Sequence, residues 1–140
     1  MPQSYAEQAR AQKMARANAM GIDDALISLM VERFYDAIRK DDLLGPIFAA
    51  NVTDWTPHLA RMKDFWASVT LESGRFHGNP MLKHIAIGGL GPAHFARWLM
   101  LWDQTVCEVA PNAAASDTFQ IAAERIASSL LMGIELHDMS

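Results

Sequence analysis

Cysteine is nearly missing: Cys107 stands alone in 140 residues, so no intrachain disulfide can form. That usage suits a reducing compartment, and the cytoplasm is the expected location. Basic residues are also scarce. Twelve Lys and Arg against 16 Asp and Glu leave a net charge of −4, which argues against nucleic acid or an anionic membrane surface as a partner. No apolar run approaches the roughly 20 residues needed to cross a bilayer. The N-terminus is polar and Ala-rich, without the continuous apolar core of a secretory signal. HExxH, Cys/His clusters, the P-loop, the dinucleotide fingerprint and GxSxG are all absent, which removes zinc hydrolases, nucleotide enzymes and serine hydrolases from consideration. Persuasive strand alternation is missing too.

What remains is helical. Half the residues are hydrophobic (51%), and the length suits one domain with a real core but not two. Nine methionines suit an adaptable interior. Residues 4–20 read as an N-terminal helix, partly detached and closed by Gly21. Asp23 or Asp24 caps a second helix whose stripe is Ile27, Val31, Phe34 and Ile38, with Tyr35 on its flank and Arg39 and Lys40 at its cation-favouring end. Gly45-Pro46 is expected to forbid helix, leaving Phe48 on an irregular connection. Asp54 or Thr56 caps a third helix, with the stripe Trp55, His58, Met62, Phe65 and Val69. Pro92 opens a helix carrying Phe95, Trp98, Trp102, Val106 and Val109, and Ser116 or Asp117 is expected to cap the last one.

Between the third helix and the one opened by Pro92 lies Arg75–His84, RFHGNPMLKH. Asn79 caps and Pro80 starts a short helix, soon ended by Gly88, Gly89, Gly91 and Pro92. His84 falls near its end, on the side shared by Met81 and Ile85, where a histidine is well placed as an axial ligand. Three further stripes each set a hydrogen-bonding group among apolar residues: Tyr35, His58 and Trp98. Buried without a partner, such groups cost about 1–3 kcal/mol each. Any one of them is accounted for as a core aromatic with its polar atom at the surface, or, for His58, as a solvated side chain beside Pro57. Together with His84 they point to a cavity that holds a polar ligand. His77 lies in a loop, His94 falls between stripe positions, and His137 is in the tail. Cys107 reads as a small packed side chain.

The segments FYDAIRKDDLLGPIF (34–48), HLARMKDFWASV (58–69), GRFHGNPMLKH (74–84) and HFARWLMLWDQTV (94–106) resemble the truncated haemoglobins, specifically group III. The resemblance spans about residues 23–136. It divides the chain into an N-terminal extra helix (1–22) and a truncated globin domain (23–140). The implied fold is all-α and globin-like: a truncated two-over-two helical sandwich with haem between the helix pairs. The implied cofactor is haem b, since no Cys-X-X-Cys-His is present for covalent attachment. His84 is then the proximal iron ligand. Tyr35, His58 and Trp98 line the distal side as the reactive constellation, Phe48 stacks on the porphyrin, and Met62 is an apolar distal contact. Arg75 and Lys83 are placed to neutralise propionates. Phe76 stands where some relatives have tyrosine and offers no hydroxyl. The glycine-pair motifs of the other two groups are missing, and Gly88-Gly89 does not match them.

The resemblance implies dioxygen, nitric oxide or peroxide as small ligands. Two donors aimed at the partial negative charge of bound oxygen would make its release slow, because a charge-assisted hydrogen bond is worth roughly 1.5–3 kcal/mol. Slow release suits nitric oxide dioxygenation or peroxidase-like chemistry, served by a separate reductase. The alternative is a non-enzymatic oxygen binder or sensor acting through a partner, and beyond that a haem-free helical interaction module.

Overall fold

In the computed structural model, which describes residues 4–139, seven α-helices follow one another and no strand occurs among the described residues. They are α1 (Tyr5–Ala19), α2 (Asp24–Lys40), α3 (Gly45–Asn51), α4 (Trp55–Leu71), α5 (Pro80–Ile87), α6 (Pro92–Val109) and α7 (Ala113–Asp138). α2 packs on α4 and α6 packs on α7. α2 also lies on α6, and α4 touches α7, which makes two helix pairs one over the other. No helix among the described residues is long and apolar enough to cross a membrane.

The caps follow local chemistry. Asp23, not Asp24, caps α2 by accepting from Leu26 N at 2.8 Å, and Asp54 caps α4 through Thr56 N at 3.1 Å. Asn79 accepts from Leu82 N at 3.1 Å, with Pro80 in the first position of α5. α7 starts earlier than Ser116 or Asp117: Asn112 accepts from Ala115 N at 2.8 Å, and the helix runs on through both serine and aspartate. His94, between stripe positions, accepts from Gly91 N at 3.0 Å and so closes the start of α6.

Two further expectations are corrected. Gly45-Pro46 opens a helix where a loop was expected. Proline near a helix start gives up no intrahelical bond, and Asp41 accepts from Leu43 N and Leu44 N at 3.1 and 2.9 Å to hold the turn before it. Phe48 therefore rides on α3. The N-terminal helix is not detached. It lies against α4, Ala17 and Ile22 are buried in the main core, and Lys13 pairs with Glu72 at 3.2 Å. Asn112 donates to Met20 O at 2.8 Å, which fastens the turn after α1 to the start of α7.

The centre is aromatic. Trp66 stacks on Trp102 at 4.3 Å and 11°, and Trp102 stacks on Trp98 at 6.2 Å and 4°. Trp102, 1% exposed, satisfies its indole N–H by donating to Phe119 O at 3.1 Å. The buried hydroxyls of Thr70 and Thr105 donate to carbonyls one turn back, those of Trp66 and Leu101. Around this centre the apolar interior falls into two clusters. The larger joins α2, α4, α6 and the first half of α7, with Ala17 of α1 at its edge. The smaller comprises Phe95, Ala127, Leu130 and Ile134, with Met81 and Ile85 of α5 packed on it, and Trp98, Leu99 and Ile126 touch both.

Candidate haem-binding site

α4 does not bury the stripe expected of it. Trp66, Ala67, Thr70 and Leu71 are buried, while Trp55, His58, Leu59, Met62, Phe65 and Val69 stay half-covered. α5 has no buried residue at all. Between α4, α5 and α7 opens a cavity of about 370 Å³, lined by Phe65, Asn79, Pro80, Met81, Arg125, Ile126, Ser129 and Leu130. It is open and mainly apolar, and Tyr35, His58, His84 and Trp98 are not among the residues that line it. Two half-covered apolar helix faces beside a cleft are what a flat apolar group requires of its surroundings.

His84 sits in the last turn of α5, half-buried. Its Nδ1 lies 2.6 Å from Pro80 O. A carbonyl only accepts, so Nδ1 carries a proton and donates, which in the neutral ring leaves the Nε2 lone pair for a metal. Metal-ligating histidines are oriented in this way, with one ring nitrogen tied to a carbonyl and the other left for the metal. One protein ligand is enough where a porphyrin supplies the equatorial set. Asn79 and Pro80 fix the start of the helix, and Met81 anchors it: a Cβ placed on Gly133 of α7 would overlap the Met81 thioether. Gly133 thus leaves room for the end of the Met81 side chain to lie on α7.

On the other side four rings converge. Tyr35 of α2 meets His58 at 5.1 Å and 87°, Phe48 of α3 at 5.7 Å and Trp55 of α4 at 5.8 Å. His58 meets Trp55 at 5.5 Å and Phe48 at 6.3 Å. Phe34 links this group to Trp98, standing 5.1 Å from Tyr35 and 5.6 Å from Trp98. Tyr35 is 6% exposed, and burial pushes its phenol far above the ordinary range, so the hydroxyl keeps its proton. His58 Nε2 is buried and finds no hydrogen-bond partner among the described residues. Burial, then the charges of Arg61 and Lys83, hold His58 below its usual pKa and keep it neutral at pH 7. An unpartnered imidazole nitrogen in an apolar site is a group waiting for a polar ligand.

The structure thus brings Tyr35, Phe48 and His58 into one cluster with Trp98 one ring away. His84 lies outside it, on α5. Met62 is half-covered on α4, and Phe76 packs edge-on against Phe65 at 5.2 Å, its backbone N–H bonded to Ser68 Oγ at 3.2 Å. Lys83 acts electrostatically on His58. Arg75 is held by carboxylates, at 2.6 Å from Asp24 and 3.7 Å from Asp64. Trp55 is the member that sequence reasoning placed in the stripe without assigning a role. Its spacing of three from His58 was the available signal, since residues three apart share a helix face.

No family model matches the chain. Over 89 residues it is 35% identical to the group 3 truncated haemoglobin ctb of Campylobacter jejuni, a match covering 61% of this chain and 70% of that protein. Its fold is similar to that in the crystal structure of the group III truncated haemoglobin from Campylobacter jejuni. The TM-score is 0.76 and the sequence identity 31%, with 81% of this chain and 91% of that one covered.

Proposed function

The chain belongs to the group 3 truncated haemoglobins, and from that premise we propose that it holds haem b through His84 and binds dioxygen and related diatomic ligands in a pocket made polar by Tyr35, His58 and Trp98. The observation that carries this reading is the His84 imidazole, whose Nδ1–H is committed to Pro80 O at 2.6 Å. When bound, the haem would supply a ferrous iron able to take a small diatomic ligand. His84 Nε2 provides the protein's bond to that iron. Met81, Ile85, Phe65 and Met62 offer the apolar walls; Phe76 packs on Phe65, and Phe48 on Tyr35 and His58. Lys83 is the basic side chain available for the propionates; Arg75 serves there only by sharing itself with Asp24 and Asp64.

Tyr35 and Trp98 donate to the ligand, and the buried Tyr35 hydroxyl stays protonated throughout the physiological range. His58 contributes a neutral ring that admits or blocks the ligand. Two donors in a site shielded from water oppose ligand escape, each by about 1.5–3 kcal/mol if its bond is lost on departure. This favours chemistry on the ligand, such as conversion of nitric oxide and dioxygen to nitrate or the reduction of peroxide, over rapid delivery. Nitrate formation needs one electron per turnover, which a separate reductase supplies. Cys107, expected as a packed side chain, is instead exposed on α6 and in no disulfide, which fits a reducing cytoplasm. The competing reading is an oxygen binder or sensor that works through a partner.

Absorption spectroscopy of the purified, haem-loaded, reduced protein before and after exposure to oxygen tests the proposal. The expected result is a Soret band that shifts on oxygenation and decays back slowly under an oxygen-free stream. Failure to take up haem would support the haem-free interaction module instead. Immediate oxidation of the iron without an oxygenated spectrum would remove the role given to Tyr35 and Trp98.

A further inference from the structure

His58 is placed in a position that its own chemistry does not favour. Its ring nitrogen Nε2 is buried and without a hydrogen-bond partner among the described residues, although the side chain stands in the first turns of α4, beside Pro57 and close to water. Rotating outward would give that nitrogen a hydrogen bond to solvent. Something must hold the ring in. Tyr35 and Phe48 pack on it from α2 and α3, at 5.1 and 6.3 Å. A third ring on it is Trp55, edge-on at 5.5 Å and 86°, one helical turn before His58. Trp55 is only half-covered by the fold, but it is itself clasped: the guanidinium of Arg39, an exposed residue in the last turn of α2, lies 4.6 Å from the centre of its ring. A cation at that distance over an indole is attracted by the ring face, and guanidinium stacks there better than ammonium.

We propose that Trp55 is a positioning residue, clasped by Arg39, that keeps the His58 ring inside the pocket and thereby sets how fast small ligands reach it. The inference rests on the reading that this pocket receives a diatomic ligand. α2 brings both Tyr35, which the ring rests on, and Arg39, which closes over Trp55 from outside. The latch therefore spans α2 and α4, and it couples His58 to the relative position of those two helices.

The test is recombination of carbon monoxide with the haem-loaded, reduced full-length protein after flash photolysis. If the pocket admits ligand only in the minority of molecules whose His58 is out, the measured rate scales with that fraction, and Trp55→Ala should raise it by about tenfold. In a His58→Leu background the same substitution should change the rate by less than about twofold, since Trp55 acts through His58. Trp55→Phe should restore most of the slow rate, Arg39→Lys should keep part of it, and Arg39→Gln should lose more. A Trp55→Ala rate equal to wild type would overturn the latch. An equal acceleration with and without His58 would also overturn it, by making Trp55 a simple wall. The His58 imidazole resonances of protein labelled with ¹⁵N-histidine give a reading independent of ligand binding: they should move toward those of a solvated ring in Trp55→Ala, and no movement would contradict the latch. A protein that loads no haem would defeat the functional reading, while these resonances would still decide the latch.

Discussion

Tyr35 and Trp98 come from α2 and α6 and are linked through the edge of Phe34. Tyr35→Phe removes the hydroxyl and keeps the ring among Phe48, Trp55 and His58, so packing is nearly conserved. Oxygen dissociation, followed by stopped flow, should speed up by about tenfold to a hundredfold, the equivalent of one charge-assisted hydrogen bond. Trp98→Phe should act in the same direction with a small cavity added, and the two changes together should not sum, because both donors serve one ligand. Rates equal to wild type in both single variants would make the polar cluster structural. His58 adds a pH dependence. Burial, with Arg61 and Lys83, holds its pKa below the ordinary 6.5 when the ring is inside, while a ring in solvent titrates normally. Protonation therefore favours the outward ring. Ligand association should accelerate as pH falls through and below about 6.5, and should be flat over the same range in His58→Leu. Acceleration toward high pH would reverse the assignment.

Among the elements, α3 and α5 are short and depend on a few contacts. α3 brings Phe48 to the pocket, and Asp41 secures its start. The Asp41 carboxylate accepts from Leu43 N, Leu44 N and Arg97 Nη1, the last at 2.7 Å. Burial alone would raise its pKa, but the bonds from Leu44, Arg97 and Leu43 and the Arg97 charge outweigh it and hold the carboxyl below 3.8. A carboxyl depressed in the folded state stabilises the fold above its unfolded pKa and loses that contribution as pH falls through the lowered value. Asp41→Ala should therefore cost about 1–2 kcal/mol in urea unfolding at neutral pH, with the gap to wild type closing in strong acid. A gap that persists there would place the effect in packing. α5 packs on α7 through Met81, whose thioether lies where a side chain on Gly133 would stand: Gly133→Leu should displace Met81 at a cost of about 1–3 kcal/mol, and should speed haem loss in a transfer assay with helical content unchanged.

These two elements also mark where sequence reasoning succeeded and where it stopped. Asn79-Pro80 announced α5 because cap and proline chemistry are local. Gly45-Pro46 misled because the same dipeptide both ends and begins helices, and the choice is made by Asp41, four residues upstream of Gly45, through a side chain whose direction no periodicity reports. The α4 stripe was legible as apolar, but not as half-covered. Composition gives the face; only the neighbours decide whether protein or cofactor covers it. Trp55 was visible as a stripe residue and Arg39 as a favourable terminal charge, yet their stacking needs α2 and α4 side by side.

At the scale of the molecule, the two-over-two arrangement divides the apolar interior into two clusters that share Trp98, Leu99 and Ile126, with His84 beside one and the Tyr35–His58 group in the other. The arrangement was legible in outline because four ordered segments carry it; the docking of α1 was not, because its contacts with α4, and those of the turn after it with the start of α7, lie far away in sequence. The central claim is that His84 is the protein's bond to the haem iron. Resonance Raman spectroscopy of the reduced, ligand-free protein measures the iron–histidine stretch directly. That band should vanish in His84→Gly and be replaced by an iron–imidazole band when imidazole is added. An unchanged band in His84→Gly at full haem loading would move the ligand elsewhere, to His77 first, and contradict the site built here on α5.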